Sequence, residues 1–325
     1  MRALMLDGPN APFRMVELPK PVPAAGEVLV RVLASGVTVL DTKIRAGAAG
    51  HARHPLPAVL GMELAGMVEA VGPGVTRFRP GDEVYGMTGG VGGLQGSLAE
   101  YVSADADLLA RKPDTLSMRE AAALPLNIIT AWEGLVDRAK VRAGQTVLVQ
   151  GGAGGVGHLV LQLAAAFGAI THATGSARNA GIIAATGAAT IDYRAESPAD
   201  YVARLTDGRG FDLVYDTAGG ASLDASFAAV TRFGHVVTAL GWGTHALAPL
   251  SFKGASYSGV FTLLPMLTGE GRAHHGEILA KAAALADAGK LKPRLDPRDF
   301  TWSEIEQAHA AVAAGTAQGK VVVSH

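Results

Sequence analysis

Apolar and polar positions repeat with two different periods along the chain, and the change of period divides it. From residue 1 to about 123 the pattern is short and strand-like. Glu27 to Leu33 (EVLVRVL) alternates as a half-buried strand does, after a turn marked by Pro21, Pro23 and Gly26. Glu63 to Val71 (ELAGMVEAV) reads as a second strand closed by Gly72-Pro73-Gly74, and Asp82 to Tyr85 as a third after Pro80-Gly81. These spacings predict a small antiparallel barrel or folded sheet. Thr88 to Ser97 (TGGVGGLQGS) carries five glycines and reads as a surface loop.

From Met118 the period lengthens. Ser117 is placed to cap a helix, with Glu120 at the capping-box spacing, and Ile129 to Lys140 continues as a second helix. Strands are predicted at 146–150, 170–174, 190–192, 211–215 and 235–239, separated by helical patterns such as Ala177–Ala185 and Pro198–Thr206. Ser197 suits the N-cap of the latter, and Pro198 its first helical position. Repeated strand-then-helix units predict an α/β fold, a doubly wound parallel sheet with right-handed crossovers. After about residue 253 the alternation fades. Helices are predicted at Glu277–Ala288 and Ser303–Ala314, the second capped by Ser303 with Glu306, and Lys320–Val323 reads as a closing strand returning to the first domain. Ser256 to Thr262 would lie at the far edge of the parallel sheet, and its unpaired backbone predicts a homodimer.

The stretch from Thr146 to Gly168 organises the second region. An apolar, β-branched run (Thr146–Gln150) leads into the glycines, and Val156, Leu159, Val160, Leu163, Ala164 and Phe167 follow at helical spacing up to Gly168, a helix-ending glycine. Gly152, Gly154 and Gly157, with Gly155 and Val156 between them, match G-x-G-x-x-G. The glycines permit a tight turn, backbone approach to a pyrophosphate and close helix-to-strand packing. With 42 glycines in 325 residues the motif alone is weak, and the flanking strand and helix carry the reading of a dinucleotide site.

The choice of dinucleotide turns on the end of the second strand. A site for NAD places an acid roughly 20 residues beyond the glycines, to hold the ribose 2′-hydroxyl. Here Thr174-Gly175-Ser176 has none; Ser176 offers a hydroxyl and Arg178 a planar cation suited to phosphate, so NADPH is the predicted cofactor.

Composition narrows the classes. Hydrophobic residues make up 49% and charged ones 18%, which describes a globular chain; the net charge of −1 leaves no footprint for nucleic acid or an anionic membrane. No apolar run suits a signal peptide or a membrane span, so a cytoplasmic location is expected. The absence of cysteine excludes disulfides, thiolate nucleophiles and cysteine-ligated zinc.

Taken together the chain resembles the medium-chain dehydrogenase/reductase superfamily and, within it, the zinc-free quinone oxidoreductase branch. The likeness is carried by GEVLVRVLASGV at 26–37, the D-x-x-x-R-x-G pattern of Asp41, Arg45 and Gly47, GMELAG at 61–66 and VGPGVTRFRPGDEVYG at 71–86. It continues through GSLAEYV at 96–102, LNIITAWEGL at 126–135, QGGAGGVG at 150–157, VYDTAGG at 214–220 and the terminal A-H…G-K-V-V-V at 308–323. The resemblance implies a Rossmann domain over 124–263 and a mostly β, GroES-like catalytic domain built from 1–123 and 264–325. Zinc-dependent members carry Cys at the position of Thr38, His at that of Met62 and Cys near Leu126. Only Glu63 of that shell remains, and a catalytic zinc needs three protein ligands. The histidine pairs His51/His54 and His274/His275 lack a third partner in sequence.

By the same resemblance, Tyr193 lies over the adenosine phosphate, Thr130, Gly241 and Phe261 neighbour the nicotinamide, and Lys320 lies near the cofactor phosphates. The family's usual phosphate-binding Lys falls at Asn179, one residue after Arg178. The branch's usual substrate-lining Asn and aromatic are replaced by Thr38 and Lys43; water, Thr38 or Lys43 would protonate a carbonyl oxygen, and nothing in the sequence singles out a general acid. The implied chemistry is metal-free hydride transfer from NADPH to a small-molecule acceptor, a quinone or the β-carbon of an α,β-unsaturated carbonyl, and it requires no nucleophilic side chain. The alternatives are an enal or enone reductase of the same superfamily and a cofactor-binding protein with little turnover.

Overall fold

The computed structural model of the protein describes residues 1–324. The chain divides into two compact units, 1–126 with 263–325, and 127–262.

The first unit is built on one long strand, Glu27–Val37, which pairs antiparallel with Glu63–Val71, Tyr101–Asp105 and the closing strand Val321–Ser324. Alternate side chains Val28, Val30 and Val32 point to one face, where Leu64, Val68, Val84, Val102 and Leu109 complete a closed core. The seven-stranded sheet runs Phe300–Thr301, Val321–Ser324, Glu27–Val37, Glu63–Val71, Glu83–Met87, Leu109–Arg111, with Tyr101–Asp105 off this path on Glu27–Val37. A separate three-stranded sheet joins Phe13–Glu17, Arg2–Leu6 and Ala58–Val59. The strand Glu63–Val71 and the Ser117–Glu120 capping box agree with the sequence pattern.

Three expectations for this unit change. The glycine-rich segment Thr88–Ser97 is not a surface loop: Thr88–Val91, Gly96 and Ser97 are buried, and only Gly92 and Gly93 at its tip are exposed. The glycines reflect close packing, since a Cβ on Gly89 or Gly96 would overlap the carbonyl of Gln95 or Leu60. The helix expected from Ser303 begins differently. Thr301 and Glu304 form the capping box of a short 3₁₀ turn, Trp302–Glu304, that leads into the helix Ile305–Ala313. Glu306 is engaged elsewhere, accepting from the Phe13 amide at 2.8 Å and pairing with Arg45. The helix expected from Glu277 starts earlier, spanning Arg272–Asp287.

The second unit is a six-stranded, wholly parallel sheet in the order Ala189–Asp192, Ile170–Gly175, Thr146–Gln150, Phe211–Asp216, Val230–Thr238, Ser256–Gly259. Numbered within the unit this is 3-2-1-4-5-6, the doubly wound order whose reversal lies between the first and fourth strands. Leu148, Val214 and Val236 pack with Tyr201, Phe211 and Phe227 in its core. Pro198–Thr206 is a helix with the expected bounds, Ser197 caps it with Asp200, and Gly168 takes φ +80° after the helix Gly157–Ala166. Ser256–Gly259 is the edge strand, as the sequence pattern placed it.

The predicted helix Ile129–Lys140 is in fact two structures, an α-helix over Pro125–Trp132 and a π-helical turn over Glu133–Arg138. A cause lies in the neighbouring strand. The Tyr215 hydroxyl donates to the Thr130 carbonyl at 2.6 Å, and a Cβ on Gly134 would overlap that hydroxyl, so the ring occupies the space an ordinary side chain would take. The segment after Ser176 also departs from a single helix: Ala177–Asn179 is 3₁₀ and Ala180–Ala184 is α. Among the described residues no helix is long and apolar enough to cross a membrane.

Candidate functional site

In the second unit the strand Thr146–Gln150 ends and the chain reverses at Gly151, whose φ of +78° only glycine adopts without strain. Two further glycines are demanded by packing. A Cβ on Gly152 would overlap the Ala173 side chain, and one on Gly157 the carbonyl of Gly151. Gly154 and Gly155 differ: both are exposed, neither has positive φ, and a Cβ on Gly154 would meet nothing nearer than the Gly151 oxygen at 3.3 Å. The amides of Gly155, Val156 and Gly157 have no protein acceptor among the described residues, and Val156, the N-cap of Gly157–Ala166, supplies no side-chain cap. Open amides at the positive end of a helix dipole form an anion site.

Side chains hold this turn in place. The Thr174 hydroxyl donates to Gln150 Oε1 at 2.7 Å and accepts from the Gly151 amide at 3.1 Å, while Thr217 Oγ1 donates to the Gln150 carbonyl at 2.7 Å. Asp216, fully buried, accepts from Thr238 Oγ1 and the Gly219 amide at 2.8 and 2.9 Å. The second and third strands pair in register with Gly175 opposite Asp192, which brings Ser176, Arg178 and Tyr193 to one end of the sheet. Ser176 has the extended backbone of an N-cap, yet its buried hydroxyl makes no capping hydrogen bond. Arg178 is exposed, and so is Tyr193, over whose ring the Arg194 guanidinium lies at 5.6 Å. The acid nearest in sequence to Tyr193, Asp192, accepts from the Arg194 amide at 3.0 Å.

At the other candidate positions of this unit, the buried hydroxyls of Thr130 and Thr262 stand 2.9 Å apart, and Thr262 Oγ1 donates to the buried Glu133 at 3.3 Å. Phe261 is half-buried and meets Trp242 edge-on, with ring centres 6.4 Å apart. Gly241 is exposed; a Cβ there would stand 2.6 Å from the Tyr257 hydroxyl. Sequence reasoning missed Thr262 and Glu133, whose link to Thr130 depends on chain far apart in sequence.

In the first unit Thr38 is the N-cap of a short helix, Val39–Arg45. Its hydroxyl donates to Asp41 Oδ2 at 2.7 Å and accepts from the Asp41 amide at 2.9 Å, and the Thr38 amide donates to the same carboxylate at 2.8 Å. This helix was missed, although T-x-x-D is a capping-box spacing. Asp41 is buried, and burial pushes its carboxyl up to about 6, against the pull of the Thr38 hydrogen bonds and the Lys320 charge; Glu63 adds to the rise. Lys43 is exposed on the same helix.

Lys320, implied to lie near the cofactor phosphates, forms an ion pair with the fully buried Glu63, whose other oxygen accepts from the Leu126 amide at 2.7 Å. The residues at the zinc positions do not fit a zinc ion. The Thr38 hydroxyl is bonded to Asp41, Met62 is a buried thioether and Glu63 is neutralised by Lys320. Among the described residues no three His, Asp or Glu side chains converge as metal ligands.

The family model for the alcohol dehydrogenase GroES-like domain matches residues 24–114, and that for zinc-binding dehydrogenase matches 186–323. Similar proteins include the 2-methylene-furan-3-one reductase of Solanum lycopersicum, 37% identical over 91% of this chain and 71% of that one. The chloroplastic NADPH-dependent alkenal/one oxidoreductase of Arabidopsis thaliana is 36% identical over 91% of this chain and 72% of that one, and the Homo sapiens quinone oxidoreductase 28% over 99% and 96%. Among solved structures, an alcohol dehydrogenase superfamily protein from Novosphingobium aromaticivorans superposes with a TM-score of 0.98 at 56% identity, covering 100% of this chain and 99% of that one. With its GroES-like and Rossmann-like parts, the chain belongs to the medium-chain dehydrogenase/reductase superfamily of oxidoreductases, and within it is quinone oxidoreductase-like.

Proposed function

We propose that the protein is an NADPH-dependent, zinc-independent reductase of conjugated carbonyl compounds, with enals and enones ahead of quinones as acceptors. A quinone is itself a cyclic enedione, so one chemistry covers both. The enone reading takes first place, reversing the order drawn from sequence, because the relatives named for such substrates are 37% and 36% identical and the human quinone oxidoreductase 28%. The observation that carries the reading is the glycine turn: amides of Gly155 and Val156 left without a protein acceptor and suited to a pyrophosphate, with no carboxylate at Thr174–Ser176 to repel a 2′-phosphate.

When bound, the dinucleotide supplies the hydride. In this reading the protein's part is binding and proton supply. Ser176, Arg178 and Tyr193 hold the 2′-phosphate, and Thr130, Gly241 and Phe261 bound the nicotinamide. Thr38 and Lys43 are the proton donors on offer. While Asp41 is ionised, the Thr38 proton points at its carboxylate; once Asp41 is protonated on Oδ2, it donates to Thr38 Oγ1, and the Thr38 proton is released for an acceptor oxygen. The homodimer, through the open edge of Ser256–Gly259, belongs to the same proposal.

The test is NADPH oxidation with a panel of 2-alkenals, cyclic and open-chain enones and benzoquinones, in the presence and absence of a chelator. Turnover of the conjugated acceptors unaffected by the chelator is expected. NADPH binding without turnover of any acceptor would favour the low-turnover binding protein, and activity lost to the chelator would overturn the metal-free chemistry.

A further inference from the structure

The first unit carries an open, solvent-facing cavity of about 470 Å³ beside the turn 49–56, lined by Pro9, Ile44, Pro55 and Leu56 with two basic side chains, Arg53 and His54. This is the size of a small-molecule site, and no acidic residue is among its lining. Arg53 is unusual twice over. Its backbone is left-handed, φ +48°, a region a long side chain seldom occupies. Its side chain is exposed, and the guanidinium has no hydrogen bond or ion pair among the described residues. The strain is held by neighbours on both sides: Arg53 N–H donates to the Gly50 carbonyl at 3.2 Å, and the Gly92 amide to the Ala52 carbonyl at 2.9 Å. Both ring nitrogens of His54 are shielded from solvent. Burial holds the imidazole below its ordinary pKa, against a weaker pull from the Val59 backbone.

An apolar wall and a cation with no protein counter-charge are together complementary to one kind of molecule. We infer that this cavity binds an apolar monocarboxylate, its hydrocarbon against Ile44, Pro55 and Leu56 and its carboxylate on the Arg53 fork. The planar guanidinium pairs a carboxylate with two parallel N–H bonds, and an unpaired site gains more from an anion than one already neutralised. The inference does not depend on the proposed reaction, and its test needs no cofactor.

Calorimetric titration of the full chain with octanoate, and with octan-1-ol as the uncharged control, decides it. Arg53→Gly removes the cation while relieving the left-handed backbone, so the variant is expected to fold at least as well as the parent. Octanoate should bind the parent saturably and Arg53→Gly roughly tenfold or more weakly, the scale of a lost charge-assisted hydrogen bond, with octan-1-ol unchanged between the two. Arg53→Lys should fall between. Equal octanoate binding by parent and Arg53→Gly, or no saturable binding by the parent, would overturn the assignment.

Discussion

The glycine turn of the second unit and the Thr38–Asp41–Glu63–Lys320 group of the first are candidate sites made in opposite ways. The turn works with main-chain groups that every residue has. Its information lies in where side chains are missing, and its sequence signature is complete within one strand, one loop and one helix, with Thr174 and Thr217 bracing it from outside. The other group works through polar and ionisable side chains brought from the first fifth and the far end of the chain, so each member's state is set by the others. A backbone site tolerates change wherever the backbone is preserved. A buried charge cluster depends on pairing, and removing one member should be felt throughout the unit.

The largest effect is expected at Lys320. Replacing it by Met leaves the Glu63 carboxylate fully buried without its counter-charge, and breaking a buried pair from one side costs about 3–5 kcal/mol. Urea unfolding of Lys320→Met should show that loss, and Glu63→Met/Lys320→Met should recover much of it. If the double variant also binds NADPH normally, Lys320 is a partner of Glu63 and has no part in holding phosphate. A weakened NADPH affinity in the refolded double variant would restore the role the family resemblance implied.

Asp41 comes next, and its direction is unusual for a carboxylate. Because burial raises it from 3.8 to about 6, the folded chain binds its proton more tightly than the unfolded chain. Its stabilising effect is full below about pH 3.8 and is lost as pH rises through 6, at most about 3 kcal/mol in all. Asp296 runs the other way: hydrogen bonds from Arg298 lower it to about 2, so its contribution is present above pH 3.8 and lost as pH falls through 2. Stability measured from pH 4 to 7 should therefore fall less steeply in Asp41→Asn than in the parent. Parallel profiles would mean that Asp41 is ionised throughout, and with it would go the release of the Thr38 proton.

The same contrast explains what could be read from sequence. Local devices were legible: the Gly168 cap, the Ser117 and Ser197 capping boxes, the Glu63–Val71 strand and the glycine motif are each specified by residues within a few positions of one another. Where a distant partner intervenes, the pattern misleads. Tyr215 fits against Gly134 beside the π turn, the Gly89 and Gly96 contacts bury a segment that composition marks as exposed, and Arg45 claims Glu306 from its expected cap. The pairing of Glu63 with Lys320 has no local signature at all. Asp41 had one, the T-x-x-D spacing, but its raised pKa follows from burial, which no short-range pattern encodes.

Cofactor choice gives the next effect. Arg178 is exposed, and the family's usual Lys is replaced by Asn179. A charge-assisted hydrogen bond to the 2′-phosphate is worth about 1.5–3 kcal/mol, so Arg178→Ala should weaken NADPH roughly ten- to hundred-fold and leave NADH almost unchanged. Fluorescence titration of both cofactors measures this. Equal losses for the two, or none for NADPH, would move phosphate recognition to another group, and the Arg194 guanidinium over Tyr193 would be the next to replace.

The smallest effect sharpens the comparison most, because it separates what the fold asks of a glycine from what a ligand asks. Gly154 has no positive φ, is exposed, and would place a methyl group no nearer than 3.3 Å to the Gly151 carbonyl. That contact is tight but leaves room for a shift of a few tenths of an ångström, and a Gly→Ala change at a compatible backbone gains a little from the restricted unfolded chain. The stability of Gly154→Ala should therefore lie within about 0.5 kcal/mol of the parent, a typical bound for surface changes. Gly157→Ala, whose methyl would overlap the Gly151 oxygen, should be clearly destabilised in the same assay. If a pyrophosphate packs against the exposed Gly154, an added methyl should hinder its approach, and NADPH and NADH should weaken alike, by severalfold. A Gly154→Ala protein with parental stability and parental affinity for both cofactors would show that the phosphates do not approach the turn at this glycine.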